Sequence, residues 1–163
     1  MSILEFPLFG PVSPGEEYDT TAPFKGQQIP VRLNLRQIES FVDNREVITA
    51  ALEFIAHWEK HLTTALTAID GNPQVVEYLE HHLAEFDQET LSQILHEVLR
   101  EGEQPTVEKL ATTLVLTAIR AVPAPEATEI GSIDFSLGNS ETQYVLKAVF
   151  DTTGEFTGFQ MDS

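Results

Sequence analysis

The sequence predicts an α+β fold, in which an antiparallel sheet built from N- and C-terminal strands packs against three or four central helices. Apolar residues alternate near both ends of the chain and recur every three or four positions in its middle. Because strand-like and helical segments are segregated, an α+β fold is favoured over repeating βαβ units. We predict one domain over residues 1–163, with strands over 1–36, helices over 43–113 and strands over 114–163.

The N-terminal segment is predicted to form extended chain followed by a hairpin. Prolines at several positions make residues 1–24 extended or turn-rich. From Ile29 to Leu35 every second residue is apolar, which predicts a half-buried strand. We expect residues 18–24 to pair with this strand across a turn at residues 25–27.

Helical spacing predicts a long first helix. Apolar residues three or four positions apart extend from Asp43 or Asn44, either of which can cap the helix, to Gly71, which can close it. A second helix begins at Asn72-Pro73, because asparagine caps helices and proline suits the first helical position.

The remaining helices are predicted to be shorter. Asp87 can cap a third helix, which Gly102 ends, and residues 104–106 begin a fourth that extends to about Thr113. Residues 114–122 fit either helix or strand, and we favour a helix that gives way to a strand.

The C-terminal segment returns to strand character. Strands are predicted over residues 133–137, 144–150 and 156–161. The last two flank a Thr-Thr-Gly turn, so we expect them to form a hairpin.

The composition excludes some functional classes and limits others. Twenty-six acidic residues face nine basic ones, a net charge of −17, so we expect neither nucleic acid nor a membrane surface as a partner. A hydrophobic content of 42% belongs to a folded chain. With no cysteine, disulfides and thiolate chemistry are excluded. No signal peptide or apolar span is visible, and we expect a soluble cytoplasmic protein.

The charge is concentrated in residues 77–103, which hold eight acids and one base. Glu77 and Glu85, with His81 between them, recur every four residues and therefore share one helix face. Such a face either keeps the protein soluble or recognises a basic protein by complementary charge. The candidate partner-binding residues are Glu77, Glu80, Glu85, Glu89 and Glu97.

The histidines are the side chains best suited to chemistry near neutral pH. His57 and His61 form an H-x-x-x-H pair, but the glutamate of the H-E-x-x-H zinc motif is displaced to position 59. On a helical wheel centred on Ile55, both histidines point to solvent, whereas Glu59 falls inside the apolar arc. We therefore predict no catalytic residue, no metal site and no cofactor.

Segments at both ends of the chain resemble a known family. The N-terminal segments are Phe6-Pro7-Leu8-Phe9-Gly10 and KGQQIPVRLNL, residues 25–35. The C-terminal ones are residues 133–137 (IDFSL), 142–146 (TQYVL), 150–154 (FDTTG) and 161–163 (MDS). Together they resemble a bacterial family known as domain of unknown function number 2004, over nearly the whole chain. Because these are strand-and-turn signatures, the resemblance implies no assigned chemistry. Small acidic proteins of this build are also similar to immunity proteins that neutralise toxins.

The sequence therefore favours a non-catalytic protein-binding module with an acidic surface, whose concrete form is an immunity protein that neutralises a basic toxin. Two alternatives stay open. One is an enzyme or metal-binding protein that uses His57 and His61, and the other is an obligate homo-oligomer.

Overall fold

A computed structural model describes residues 3–137 and 144–162 of the chain. The N-terminal strands are β1 (Leu4–Phe6), β2 (Gly10–Val12), β3 (Glu17–Phe24) and β4 (Gln27–Asn34). A 3₁₀ turn (Val42–Asn44) leads into α1 (Arg45–Ala56), α2 (Trp58–Ile69), α3 (Pro73–Glu85), α4 (Gln88–Ile94) and α5 (Val107–Ala111). The C-terminal strands are β5 (Leu114–Ala121), β6 (Glu129–Leu137), β7 (Val145–Asp151) and β8 (Phe156–Asp162).

The predicted α+β fold is confirmed, but the described residues between β4 and β5 form five helices where three or four were predicted, because the first predicted helix is divided in two. Six strands form one sheet in the order β3-β4-β5-β6-β7-β8, while β1 and β2 form a separate two-stranded sheet. The sheet differs from the prediction in one pairing, because β4 and β5 run parallel and all other neighbours run antiparallel. The chain leaves β4, passes through the helices and returns beside β4 in the same direction, as a parallel pair requires.

Both predicted hairpins are present. β3 and β4 are joined by Lys25 and Gly26, whose φ angles are 49° and 78°. Positive φ at both positions gives a turn whose twist matches that of paired strands. β7 and β8 are joined by a turn that the Asp151 carboxylate organises, accepting hydrogen bonds from the backbone N–H groups of Thr153 (2.8 Å) and Glu155 (3.0 Å).

The prediction of one long first helix is wrong, because the segment forms α1 and α2 with a break at His57. His57 has φ −116° and ψ 30°, outside the helical region. Its N–H still bonds the Glu53 carbonyl, so the chain changes direction without losing that hydrogen bond. The break lets α1 lie over β5 and β6 while α2 reaches β6 and β8.

The second helix begins as predicted, since the Asn72 side chain accepts hydrogen bonds from the first turn of α3. Asp87 also caps α4 as predicted, but α4 ends at Ile94 and not near Gly102. Leu95 is fully buried by tight turns after α4, which satisfy the apolar spacing without a longer helix. The expected change from helix to strand is confirmed by α5 and β5.

The helices pack against one face of the sheet, and Gly131 of β6 lies directly beneath Phe54 of α1. A Cβ atom at this position would clash with the Arg120 carbonyl oxygen and lie 2.8 Å from Cε2 of Phe54. Ile133 and Phe135 alternate with Gly131 along β6, so they face the helices too and are buried. We call the opposite side of the sheet the outer face.

Helix α3 also covers part of the sheet edge. The Gln74 side chain accepts a hydrogen bond of 2.9 Å from the backbone N–H of Phe159, in edge strand β8. This contact occupies a donor that a strand from another chain would otherwise use. None of the helices in the described part of the chain has the length and apolar composition that a bilayer crossing requires.

Candidate functional site

The sequence-predicted partner-binding residues lie on the helical side of the molecule. Glu77, Glu80 and Glu85 belong to α3, Glu89 belongs to α4, and Glu97 follows α4. All five side chains are exposed. We call this set of five glutamates the acidic helix surface.

Few of the acids on this side have a basic partner. Residues 45–113 contain thirteen acids and four Lys or Arg residues, a net charge of −9. Within the described residues, the one ion pair to a lysine or arginine here joins Glu103 to Lys109, at 2.9 Å. Among contacts between described residues, Glu97 alone of the acidic helix surface has an ionic contact, at 3.6 Å to the neighbouring His96. The potential of these carboxylates is therefore not cancelled locally.

The outer face of the sheet has the opposite character, because its charges are paired. The residues that the structure describes form four ion pairs there: Arg32–Asp19 at 3.4 Å, Arg36–Glu17 at 3.1 Å, Arg120–Asp134 at 2.7 Å and Lys147–Asp162 at 3.1 Å. Strand register explains the arrangement, since Arg32 is opposite Asp19 and in-register residues share a face.

The buried member of these pairs is Asp134 on β6. Its side chain is only 1% exposed, and its carboxylate accepts hydrogen bonds from Nε of Arg120 and Oγ of Ser132, both at 2.7 Å. A buried carboxylate is tolerated when its oxygens are satisfied in this way. Nothing in the sequence analysis singled out these residues. The sequence feature that could have identified them is the alternation of Ser132 and Asp134 with apolar residues in β6.

The two histidines proposed as an alternative site line a groove of about 340 Å³ between α1, α2 and the β7–β8 turn. His57 is exposed and lies 3.3 Å from Glu53 through Nε2. The prediction that His61 also points to solvent is wrong, because its side chain is buried. We call this feature the histidine groove.

His61 is buried because it packs between two aromatic rings. Its ring centroid lies 4.8 Å from that of Phe54 and 4.8 Å from that of Phe150. Burial lowers the pKa of His61, and the nearby positive charges of Lys60 and His57 lower it further. The imidazole is therefore held in its neutral form more firmly than a free histidine.

The groove does not assemble a metal centre from the residues present. Across residues 3–137 and 144–162, no three His, Cys, Asp or Glu side chains are grouped so that they could hold a metal ion. Glu53 and His57 contact each other, while Lys60 also lines the groove.

A second histidine is buried beneath the acidic helix surface. His82 is 1% exposed, and its Nδ1 lies 2.8 Å from the carbonyl oxygen of Tyr78. Because a carbonyl only accepts, Nδ1 must carry a proton. Burial is the main cause that lowers the pKa of His82. Burial also raises the pKa of Tyr78 to about 12, and its hydroxyl donates to the Tyr144 carbonyl oxygen at 3.0 Å. These buried contacts fix the inner side of α3 against the core, beneath its exposed glutamates.

Comparison with known proteins gave no match: no protein-family model, no curated protein and no solved structure is similar to this chain. The resemblance to the family of unknown function therefore stays a prediction. Of its segments, residues 142, 143 and 163 lie outside the described residues.

Proposed function

We propose that this protein is a non-catalytic protein-binding module whose acidic helix surface docks a basic partner protein. The observation that carries the proposal is the contrast in charge pairing between the two sides of the molecule. The outer face pairs its acids with arginine or lysine, whereas Glu77, Glu80, Glu85 and Glu89 have no such partner among the described residues.

The physical basis is long-range attraction. A surface of one charge sign raises the association rate with a partner of opposite sign and makes that rate fall with salt. The presenting scaffold is firm, because α3 is capped at Asn72 and anchored to β8 through Gln74. Because the helix backbone that carries these side chains is already ordered, binding does not have to order it, which favours affinity.

The concrete form of the proposal is an immunity protein that neutralises a basic toxin. A nuclease that binds nucleic acid presents basic side chains in its cleft. Exposed glutamates on one helix can occupy the positions that phosphate groups would take there. The same charge excess supports the proposal that nucleic acid itself is not a partner.

The test uses the intact chain and a triple variant, Glu77→Lys, Glu80→Lys and Glu85→Lys. Proteins captured from the source cells by the wild type are identified, purified and measured for association rate by stopped flow. We expect the triple variant to associate at least about tenfold more slowly at low salt, with a smaller difference at high salt.

A matched control carries Glu5→Lys, Glu39→Lys and Asp43→Lys, three exposed acids outside the acidic helix surface. It changes the net charge by the same amount. If both triple variants slow association equally, net charge alone steers the partner, and the mapped surface is wrong. Unchanged association of the α3 variant at low salt would also exclude docking there.

A further inference from the structure

Two arginine side chains are neighbours on the outer face of the sheet. Arg32 of β4 and Arg120 of β5 are register partners in the parallel pair, so both leave the same face of strands about 4.8 Å apart. Like charges at such positions repel and destabilise a sheet. The chain has only nine lysines and arginines, and two of them occupy these adjacent positions. The pair therefore requires negative charge close by.

Arg120 is held in a fixed orientation by the buried carboxylate of Asp134. Nε of Arg120 donates to Asp134 at 2.7 Å, and Ser132 fixes the other carboxylate oxygen at the same distance. A guanidinium carries five N–H donors, and within the described part of the chain no second acidic residue pairs with this one. Donors of a pre-oriented guanidinium therefore stay available to a ligand.

Arg32 is held far more loosely. Its partner Asp19 lies 3.4 Å from Nε, and the Asp19 side chain is 77% exposed. An exposed ion pair of this kind contributes about 0–1 kcal/mol. The Asp19 carboxylate can therefore leave Arg32 at little cost when a better acceptor arrives.

A cavity of about 230 Å³ lies at these arginines. Tyr18 and Asn34 line its wall, and Glu17 and Asp19 contribute carboxylates. Each of these acids is already paired with an arginine, Glu17 with Arg36 at 3.1 Å and Asp19 with Arg32. The wall therefore does not present uncompensated negative charge.

We propose that this cavity binds a small oxyanion, the phosphate or carboxylate group of a small molecule, between Arg32 and Arg120. The planar guanidinium matches both groups by paired hydrogen bonds. Arg120 supplies the fixed half of the site, and Arg32 supplies the half that exchanges Asp19 for the ligand. The net charge of −17 does not prevent this, since charges farther than about 8 Å are largely screened at physiological salt.

The test is calorimetric titration of the intact protein with inorganic phosphate and, separately, with citrate, against sodium chloride of equal ionic strength. We expect saturable binding of at least one probe. Tighter binding of phosphate assigns a phosphate ligand, and tighter binding of citrate assigns a carboxylate ligand. Absence of saturable binding for both probes would overturn the proposal.

Three variants separate the site from general charge effects. Arg32→Gln should weaken binding about tenfold, and Arg120→Lys should also weaken it, because lysine keeps the charge but loses the planar fork. Asp19→Asn should strengthen binding several-fold, since it removes the competing carboxylate.

The matched controls are Arg45→Gln and Asp70→Asn, which make the same charge changes at exposed positions outside the cavity. Both should bind as the wild type does. If Asp70→Asn strengthens binding as much as Asp19→Asn, or Arg45→Gln weakens it as much as Arg32→Gln, the ion responds to net charge and the site is wrong.

Discussion

The outer face of the sheet and the helical side of the molecule use charge in opposite ways. On the outer face, four basic side chains each have an acidic partner, and one of those acids is buried. On the helical side, residues 45–113 contain thirteen acids and only four lysines and arginines. The chain thus places much of its scarce positive charge where strand register brings side chains close together. The excess of negative charge is left on helices, where glutamate side chains reach water.

This difference shows that the excess of negative charge is located on one side of the molecule and is not spread evenly over its surface. A long acidic side chain on a helix stays hydrated and costs little without a partner. Asp134, on a strand with neighbours on both sides, loses its water and requires a partner, whereas Asp19 on the edge strand β3 stays exposed. The two sides therefore differ in what a charge contributes to stability, and substitutions should show it.

The largest expected effect follows from breaking the buried pair on the outer face. Arg120→Gln leaves the Asp134 carboxylate buried without its cation, so the free energy of unfolding should fall by about 2–3 kcal/mol. Arg32→Gln removes an arginine from the same face but from an exposed pair, and should cost less than about 0.5 kcal/mol. Urea unfolding of both variants measures the difference.

The double variant Arg120→Gln with Asp134→Asn is the control for this interpretation. It removes the charge that Arg120→Gln leaves stranded, and should recover part of the lost stability. Equal losses for Arg120→Gln and Arg32→Gln would mean that burial of Asp134 does not decide the energetics of this face.

An intermediate effect is expected from pH, through His61 and His82 on the helical side. Burial lowers both pKa values below 6.5 in the folded protein, so the unfolded chain takes up these protons first. The two neutral histidines therefore make their full contribution to the free energy of unfolding well above pH 6.5. The free energy of unfolding falls as the pH drops below 6.5, by at most about 1.4 kcal/mol per pH unit for each histidine. Urea unfolding between about pH 7.5 and about pH 5.5 measures this slope.

His61→Phe separates the two contributions. Phenylalanine keeps the aromatic contacts with Phe54 and Phe150 and cannot be protonated, so the slope below pH 6.5 should fall to about half. A slope that does not change in His61→Phe would show that His61 makes no contribution to acid sensitivity.

Much of the fold could be predicted because local patterns determined it. The alternation of apolar and polar residues predicted β4, and the Asn-Pro pair predicted the start of α3. The Thr-Thr-Gly turn predicted the last hairpin. The break at His57 could not be predicted in this way, because apolar spacing continues through it. The parallel pairing of β4 with β5 depends on where a chain returns after five helices, which no local pattern encodes.

The candidate sites show the same limit. The wheel centred on Ile55 left out Phe54, which is buried and shifts the true centre of the apolar stripe. His61 is seven residues after Phe54, only about 20° away around a continuous helix, and this spacing could have indicated that His61 is buried too. Their stacking depends on the break between α1 and α2 at His57. Glu59, placed inside the arc by the same wheel, is exposed. The Arg32–Arg120 pair lies 88 positions apart in the numbering, and only strand register brings it together.

The smallest expected effect lies on the acidic helix surface. Glu77→Gln, Glu80→Gln and Glu85→Gln should each raise the free energy of unfolding by about 0.2–0.5 kcal/mol at low salt, because each removes like-charge repulsion. Glu85 should give the largest gain, since it is the last residue of α3, where a negative charge opposes the helix dipole. The gains should vanish at about 500 mM salt. On the outer face, Glu17→Gln instead breaks the pair with Arg36 and should give no gain at either salt concentration. A similar gain from Glu17→Gln would mean that the two sides do not differ in charge balance, because relief of net charge would then act equally on both.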